Sequence, residues 1–271
     1  MTMGAAVAIP AWAAGRLRSW LSVRHSLRGE AAAVLALYSF YELARGLVVG
    51  NTAEADRHAH RLVALERSLH LFLEANVQHA AHALPGLTSL LGSAYLTLHL
   101  TVTAGVLLWL HQRRPVAFPF VRTTLLLASG LSLIGFLVYP TAPPRSAGVG
   151  IADTVSNGHI DLNHGLVSSL YNPYAAVPSM HIGYALIVAA SLFLYGRRRL
   201  VRALAALYPP LVLLVVVATG NHFFFDAAAG ALVSVVAAAA AAPLTRRAAP
   251  SRISALPTRP KPLPACEELA A

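Results

Sequence analysis

The stretch HFFFDAAAGALVSVVAAAAAA, residues 222–242, carries one charge, Asp226, close to its start. A helix of that length runs about 30 Å, the thickness of a bilayer's hydrocarbon core. An acid one turn inside such a span is unfavourable unless it is paired or faces a hydrated cavity. The segment that predicts a membrane protein therefore also predicts a polar site at one of its ends. Reading back towards the N-terminus gives five more candidate spans: 203–219, which contains Pro209 and Pro210; 177–196; 123–139; 85–110, which holds His99; and 31–50, interrupted by Glu42 and Arg45. Those two charges stand at i,i+3 and can face each other within a bundle.

The sequence predicts an all-α integral membrane protein, a six-transmembrane-helix bundle over residues 31–243. Residues 51–83 are amphipathic, with Arg57, Arg61, Glu66, Arg67 and Glu74, and read as an additional interfacial helix. Residues 1–30 read as a cytoplasmic segment with a short interfacial helix around Trp12 to Trp20. Residues 244–271 read as a disordered cytoplasmic tail, Pro-rich from Pro250 to Pro264.

Composition agrees. Of the 271 residues 56% are hydrophobic and 12% charged, and the mean hydropathy is +0.60. A typical soluble domain has about 25% charged residues, so this chain has too little charge to cover a surface facing water. The single cysteine, Cys266, excludes an intrachain disulfide scaffold. The net charge of +10 is explained by position. Sixteen basic residues fall in residues 1–30, the 113–122 and 197–202 connections and the C-terminal tail; four, Arg57, Arg61, Arg67 and Arg145, fall on the opposite side. Basic residues favour cytoplasmic connections, which places both termini in the cytoplasm of a multi-pass cell-membrane protein and the 140–176 loop outside. A nucleic-acid partner is not expected, since no zinc-finger spacing or RNP-like motif accompanies the charge. A cleaved signal peptide does not fit an apolar segment that begins late, holds two charges and is followed by five more.

Three polar clusters fall where the outward ends of spans should meet. They are YPTAPPR at 139–145, YNPYAAVPSMH at 171–181 and TGNHFFFDAAAG at 219–230. His222 and Asp226 are four apart and share a helical face. A carboxylate on one imidazole nitrogen fixes the tautomer and leaves the other free to attack; the competing reading is a pair that only joins helices. His181 heads the fourth span at matching depth, where Pro178 can start a helix and Ser179 can cap it or bind an anion. Arg145 follows Pro143 and Pro144 and offers a planar fork to phosphate oxygens, or a headgroup anchor. Together these residues can build a metal-free phosphoryl-transfer site, with nucleophile, orienter, proton donor and charge clamp. Zinc on His181, His222 and Asp226 is an alternative that leaves Arg145 unexplained. His159 and His164, with Asp153, Asp161 and Asn163, lie in the same loop, which can be a lid, a headgroup contact or a solvated Gly-rich segment.

These clusters resemble the type-2 phosphatidic acid phosphatase superfamily, and within it the inositolphosphotransferase-like branch that includes fungal inositol phosphorylceramide synthase and many bacterial membrane proteins. The carrying segments are YPTAPPR, NPYAAVPSMH and GNHFFFDAAAG, and the likeness covers about residues 30–243. The resemblance implies a six-helix bundle with an extracytoplasmic site and no metal or other cofactor. It implies His222 as the nucleophile that forms a phosphohistidine, Asp226 as its orienter and His181 as the acid on the leaving oxygen. It places Ser179 among the phosphate-binding groups; we add Arg145 and Asn221 to these, and Tyr139, Asn172, Tyr174 and Asp153 as a candidate headgroup pocket. Two departures stand out. The phosphatase branch carries Ser-Arg seven and six positions before the nucleophile, where this chain has Val215 and Val216; and its Pro-Ser-Gly-His is here Pro178-Ser179-Met180-His181. The expected function is transfer of a phosphoryl or phospho-headgroup, such as phosphoinositol, from a phosphorylated membrane lipid to an alcohol. The alternatives are hydrolysis with water as acceptor, and a lipid or polyol transporter whose route is lined by His99, Glu42 and Arg45.

Overall fold

A computed structural model describes residues 11–47, 51–155, 172 and 174–246. The described residues form nine helices and no strand: α1 (Ala11–Ser22), α2 (Leu27–Leu47), α3 (Thr52–Ser68), α4 (Glu74–His82), α5 (Leu87–Arg113), α6 (Phe118–Val138), α7 (Met180–Tyr195), α8 (Arg199–Ala218) and α9 (Phe224–Thr245). Four of them, α5, α6, α8 and α9, are long and apolar enough to cross a membrane. The 16-residue α7 is apolar but shorter, and α2 carries Arg28, Glu30, Glu42 and Arg45 along its 21 residues. The protein is thus an all-helical membrane protein with four helices that meet the length and composition of a span. The expected tail disorder from Pro250 to Pro264 concerns residues outside those described.

Helix α9 packs along α6 and α7, α7 packs on α8, and α5 leans on both α7 and α8. The face that α9 buries is a row of small residues, Ala227, Gly230, Ser234, Ala237 and Ala241, whereas Leu232 and Val235 on its other side are 64% and 66% exposed. Spacing of three and four puts the small residues on one stripe, which lets backbones approach closely. The apolar outer face suits lipid rather than water. Contact is tightest at Gly230, where a Cβ would overlap the Ser179 carbonyl oxygen. Ser234 Oγ then donates to the Gly183 carbonyl at 3.0 Å, fastening the crossing one turn further on.

Two features depart from the sequence reading. The amphipathic segment is two helices, because α3 stops at Ser68 and His70 takes the left-handed conformation at φ 56°. His70 N donates to the Arg67 carbonyl at 3.1 Å and Leu71 N to the Glu66 carbonyl at 2.7 Å, the paired bonds of a Schellman stop. Only a left-handed residue allows them, and here a histidine rather than a glycine supplies it. The other departure is Arg122, which is not a solvated loop charge. It lies in α6, 1% exposed, with Nη1 2.6 Å from Glu30 Oε1 and Nη2 donating to the Trp20 and Leu21 carbonyls at 3.0 Å. A buried guanidinium needs such partners for its donors, and these fasten α1 and α2 to α6 at the end of the bundle remote from His222.

Candidate active site

The site begins with the way α8 ends. Gly220, at φ 70°, lets its own N–H reach the Val217 carbonyl at 2.9 Å and Asn221 N reach the Val216 carbonyl at 3.0 Å. A Cβ at Gly220 would meet Ile151 Cγ2 at 2.8 Å and the Ala152 carbonyl at 3.1 Å, so glycine is required here by space as well as by φ. The turn delivers His222 immediately before α9, with His222 N on the Val216 carbonyl at 3.2 Å. Asp226, the third residue of α9, reaches back from the first turn. Its Oδ2 accepts from Phe223 N at 2.8 Å and lies 3.3 Å from His222 Nδ1. A proton on Nδ1 then leaves Nε2 free.

The start of α9 is held by two further acids. Phe224 N donates to Glu74 Oε1 at 3.1 Å and Phe225 N to Glu66 Oε1 at 2.8 Å. Helix N-termini present unpaired donors and a positive dipole end, and three carboxylates from α3, α4 and α9 itself answer them. Glu66 and Glu74 are neighbours at this helix end, and their Oε2 atoms have no hydrogen-bond partner among the described residues. Burial first, and then the neighbouring Glu74 carboxyl, push Glu66 up from the usual carboxylate range to about 8. An acid whose folded pKa is raised contributes stability that is complete below its unfolded value and is lost as pH rises through the folded one. The apparent unfolding temperature in detergent should therefore fall between about pH 4.5 and about pH 8 in the wild type and stay flatter in Glu66→Gln, which keeps the acceptor for Phe225 N. Equal slopes in the two proteins would refute the upward shift of Glu66.

Ser179 precedes α7 and ties it to α9, its N–H donating to the Asp226 carbonyl at 3.0 Å. Its side chain is buried and its Oγ has no hydrogen-bond partner among the described residues. One turn in, the His181 ring lies 5.5 Å from the His222 ring, centroid to centroid. Tyr95 stacks on His181 at 4.4 Å and His99 meets it edge-on at 4.2 Å, both from α5. These rings limit the freedom of the imidazole without occupying the side that faces His222.

Arg145 is joined to the same turn. Its N–H donates to the Gly220 carbonyl at 2.9 Å, Nε to Asn221 Oδ1 at 3.0 Å, and Nη1 pairs with Asp153 Oδ2 at 2.6 Å. Gln78 of α4 pins the Asp153 strand of loop by bonding both N–H and C=O of Ala152, at 2.8 and 2.9 Å. On the other flank Thr141 N donates to the Tyr174 carbonyl at 2.8 Å, so the segments that leave α6 and lead into α7 run together.

A pocket opens onto the two histidines, and His181, His222, Asn221 and Asn172 line it. Asp226, Ser179 and the Arg145–Asp153 pair are placed behind that lining rather than in it. Tyr139 and Tyr174 turn towards α3: Tyr139 stacks on His58 at 3.9 Å, and Tyr174 Oη bonds Thr52 Oγ1 at 2.7 Å. His159, Asp161, Asn163 and His164 lie outside the described residues. Sequence reasoning missed Tyr95 as a neighbour of His181 and missed Glu66 and Glu74 as partners of α9. The i,i+4 spacing of Tyr95 and His99 was a usable signal; nothing in the spacing of Glu66 and Glu74 links them to residue 224. Among the described residues no three His, Cys, Asp or Glu side chains are grouped as metal ligands.

No curated protein and no solved structure matches the chain. The PAP2 superfamily model does match, over residues 60–240, a range that runs from within α3 to within α9 and contains the histidine pair, Asp226, Ser179, Asn221 and Arg145. With two thirds of its length in that match, the chain belongs to the PAP2 superfamily.

Proposed function

We propose that the protein is a membrane lipid phosphotransferase that passes a phosphoryl or phospho-headgroup from a phosphorylated lipid to an alcohol through a phosphohistidine at His222. Membership of the superfamily gives phosphatase or phosphotransferase chemistry. The observation that carries the finer reading is the pair of imidazoles on one pocket, with Asp226 on Nδ1 of His222. Nε2 of His222 attacks phosphorus, the bond to the leaving oxygen breaks, and protonated His181 supplies the proton that oxygen takes. An alcohol then gives its proton to His181 and attacks the phosphohistidine, which restores both histidines. Asn221 holds the phosphate oxygens at the pocket wall, Ser179 and Arg145 reach them from behind it, and Asn172 belongs to the headgroup side, while Asp153 serves Arg145. Side chains fill every role, so the mechanism asks for no metal.

The second reading is a lipid phosphate phosphatase, in which water takes the place of the alcohol. Buried Val215 and Val216 at the phosphatase branch's Ser-Arg positions favour the inositolphosphotransferase-like branch. The test is to trap the phosphoenzyme from a labelled lipid phosphate and challenge it with polyols, lipid alcohols and water. Alcohol-dependent product supports transfer, release to water alone supports hydrolysis, and absence of any phosphoenzyme rejects both.

The same reading places six spans in the membrane, α2 and α7 added to the four long apolar helices, with the site outside and both termini in the cytoplasm. The polar clusters sit at one end of α6, α7 and α9, whereas Arg113, Arg114, Arg197 and Arg198 sit at the other ends of their connections. With Cys266 replaced, single cysteines introduced at 115 or 197 should react with an impermeant reagent only after sealed cells are opened, and one at the exposed position 146 without opening. Labelling of all three in sealed cells would overturn this orientation.

A further inference from the structure

Helix α2 lies ahead of the family match, which starts at residue 60, yet it forms a wall of the catalytic pocket. Its contribution includes Glu42 and Arg45, joined at 2.8 Å with side chains 25% and 23% exposed. The two stand at i,i+3 on one helix, so the pair itself is not a joint between helices. The contrast is at the other end of α2, where Glu30 meets Arg122 of α6 with 3% and 1% exposure, a joint between helices. Partial exposure into a pocket shared with His181 and His222 is what a group that takes a ligand requires, and a buried joint does not.

The electrostatics of the site call for such a group. A transferring phosphoryl group carries up to two negative charges spread over its oxygens. Arg145 reaches the site already paired with Asp153 at 2.6 Å and bonded to Asn221 at 3.0 Å, so its charge is largely compensated within the protein. Val215 and Val216 are 2% and 0% exposed and offer none. Arg45 lines the same pocket as the two histidines, and its carbonyl accepts from Asn172 Nδ2 at 2.9 Å, which fixes the end of α2 beside the segment leading to Ser179 and His181.

We propose that Arg45 is a second phosphate-binding guanidinium of the catalytic pocket, supplied by a helix outside the family match, and that Glu42 is the internal anion with which the substrate phosphate competes for it. The proposal rests on the phosphotransfer reading of the same pocket. The planar fork of arginine can serve a carboxylate and a phosphate in turn with little rearrangement. Glu42 holds one Nη of the fork at 2.8 Å; with an oxyanion present the guanidinium turns part of its donors to it.

The competition makes the two substitutions differ in sign. Inorganic phosphate is the probe, titrated calorimetrically into the full chain in detergent. Arg45→Gln should weaken its binding about ten- to a hundredfold, the usual loss of a charge-assisted contact, with Arg45→Lys between it and wild type. Glu42→Gln removes the competing anion and should tighten binding by about three- to tenfold. If the pair were a structural tie, both substitutions would loosen α2 and shift binding the same way, or leave it unmoved; either result overturns the proposal. Should Arg45→Gln not fold, Arg45→Lys and Glu42→Gln still give opposite signs under the proposal and not otherwise. Trapping of phosphohistidine in the same preparations separates the two readings. Phosphoenzyme without the split in phosphate affinity rejects Arg45 alone, whereas the split without phosphoenzyme leaves Arg45 as an anion site and rejects the transfer chemistry.

Discussion

His222→Ala should abolish the phosphoenzyme altogether and leave the bundle folded. The histidine belongs to the turn between α8 and α9, and that turn is held by Gly220, Asn221 and the Val216 carbonyl rather than by the imidazole. Nothing else within the pocket combines a free imidazole nitrogen with a carboxylate on the other one. Asp226→Asn tests the same assignment more finely. Its amide oxygen can take the Oδ2 place and still accept from Phe223 N and from His222 Nδ1, but the negative charge beside the imidazole is lost. Neutralising the carboxylate of a comparable His-Asp pair lowers turnover by about 10⁴-fold, and a loss of two to four orders of magnitude is expected here. The fold should tolerate the change, since a buried negative charge beside Glu66 and Glu74 is removed. The measurement is labelled phosphoenzyme per folded protein. Normal phosphohistidine in His222→Ala would exclude it as nucleophile, and wild-type turnover in Asp226→Asn would exclude the orienting carboxylate.

Arg145 carries the next largest effect. Lysine keeps the charge but cannot serve Asp153 and Asn221 at once, and glutamine keeps polarity without charge. Losing a preorganised contact to a transferring phosphoryl group costs about 3 to 4 kcal/mol, two to three orders of magnitude in rate. Arg145→Gln should approach that loss and Arg145→Lys should fall short of it. Single-turnover formation of phosphohistidine, in detergent and again in bilayers, keeps membrane anchoring apart from chemistry. Normal rates for both variants in both settings would leave Arg145 as an anchor of the loop.

How much of this was legible in the sequence differs between spans and contacts. Apolar length is a property of the chain alone, which is why residues 85–110, 123–139, 203–219 and 222–242 each correspond to a long helix within a few residues. The His222–Asp226 pair was legible because both partners belong to one local segment. Its mechanism of approach was not, since His222 stands before α9 and Asp226 reaches back to it from the first turn. The links that cross the fold left no periodic trace: Glu66 and Glu74 to the amides of Phe225 and Phe224, and Arg122 to Glu30. A charge on a helix facing water and one aimed at another helix's end look alike in a linear pattern. Glu42 and Arg45 were legible as a pair at i,i+3, but that they line the pocket of the histidines depends on how α2 leans on α6.

Because α9 opens on amides bonded to acids of α3 and α4, its first turn is completed by chain made some 150 residues earlier. Until those helices dock, the amides of Phe224 and Phe225 have no protein partner, and the start of α9 frays where Asp226 must hold His222. During synthesis His222, the proposed nucleophile, is thus among the last parts of the bundle to leave the ribosome and the last to be set in place. A chain whose insertion has stalled, or whose α3 and α4 have strayed, carries every reactive side chain and remains unarmed. Phosphoryl transfer would then report on completed assembly, and a lipid phosphate that met an unfinished molecule would leave it unchanged.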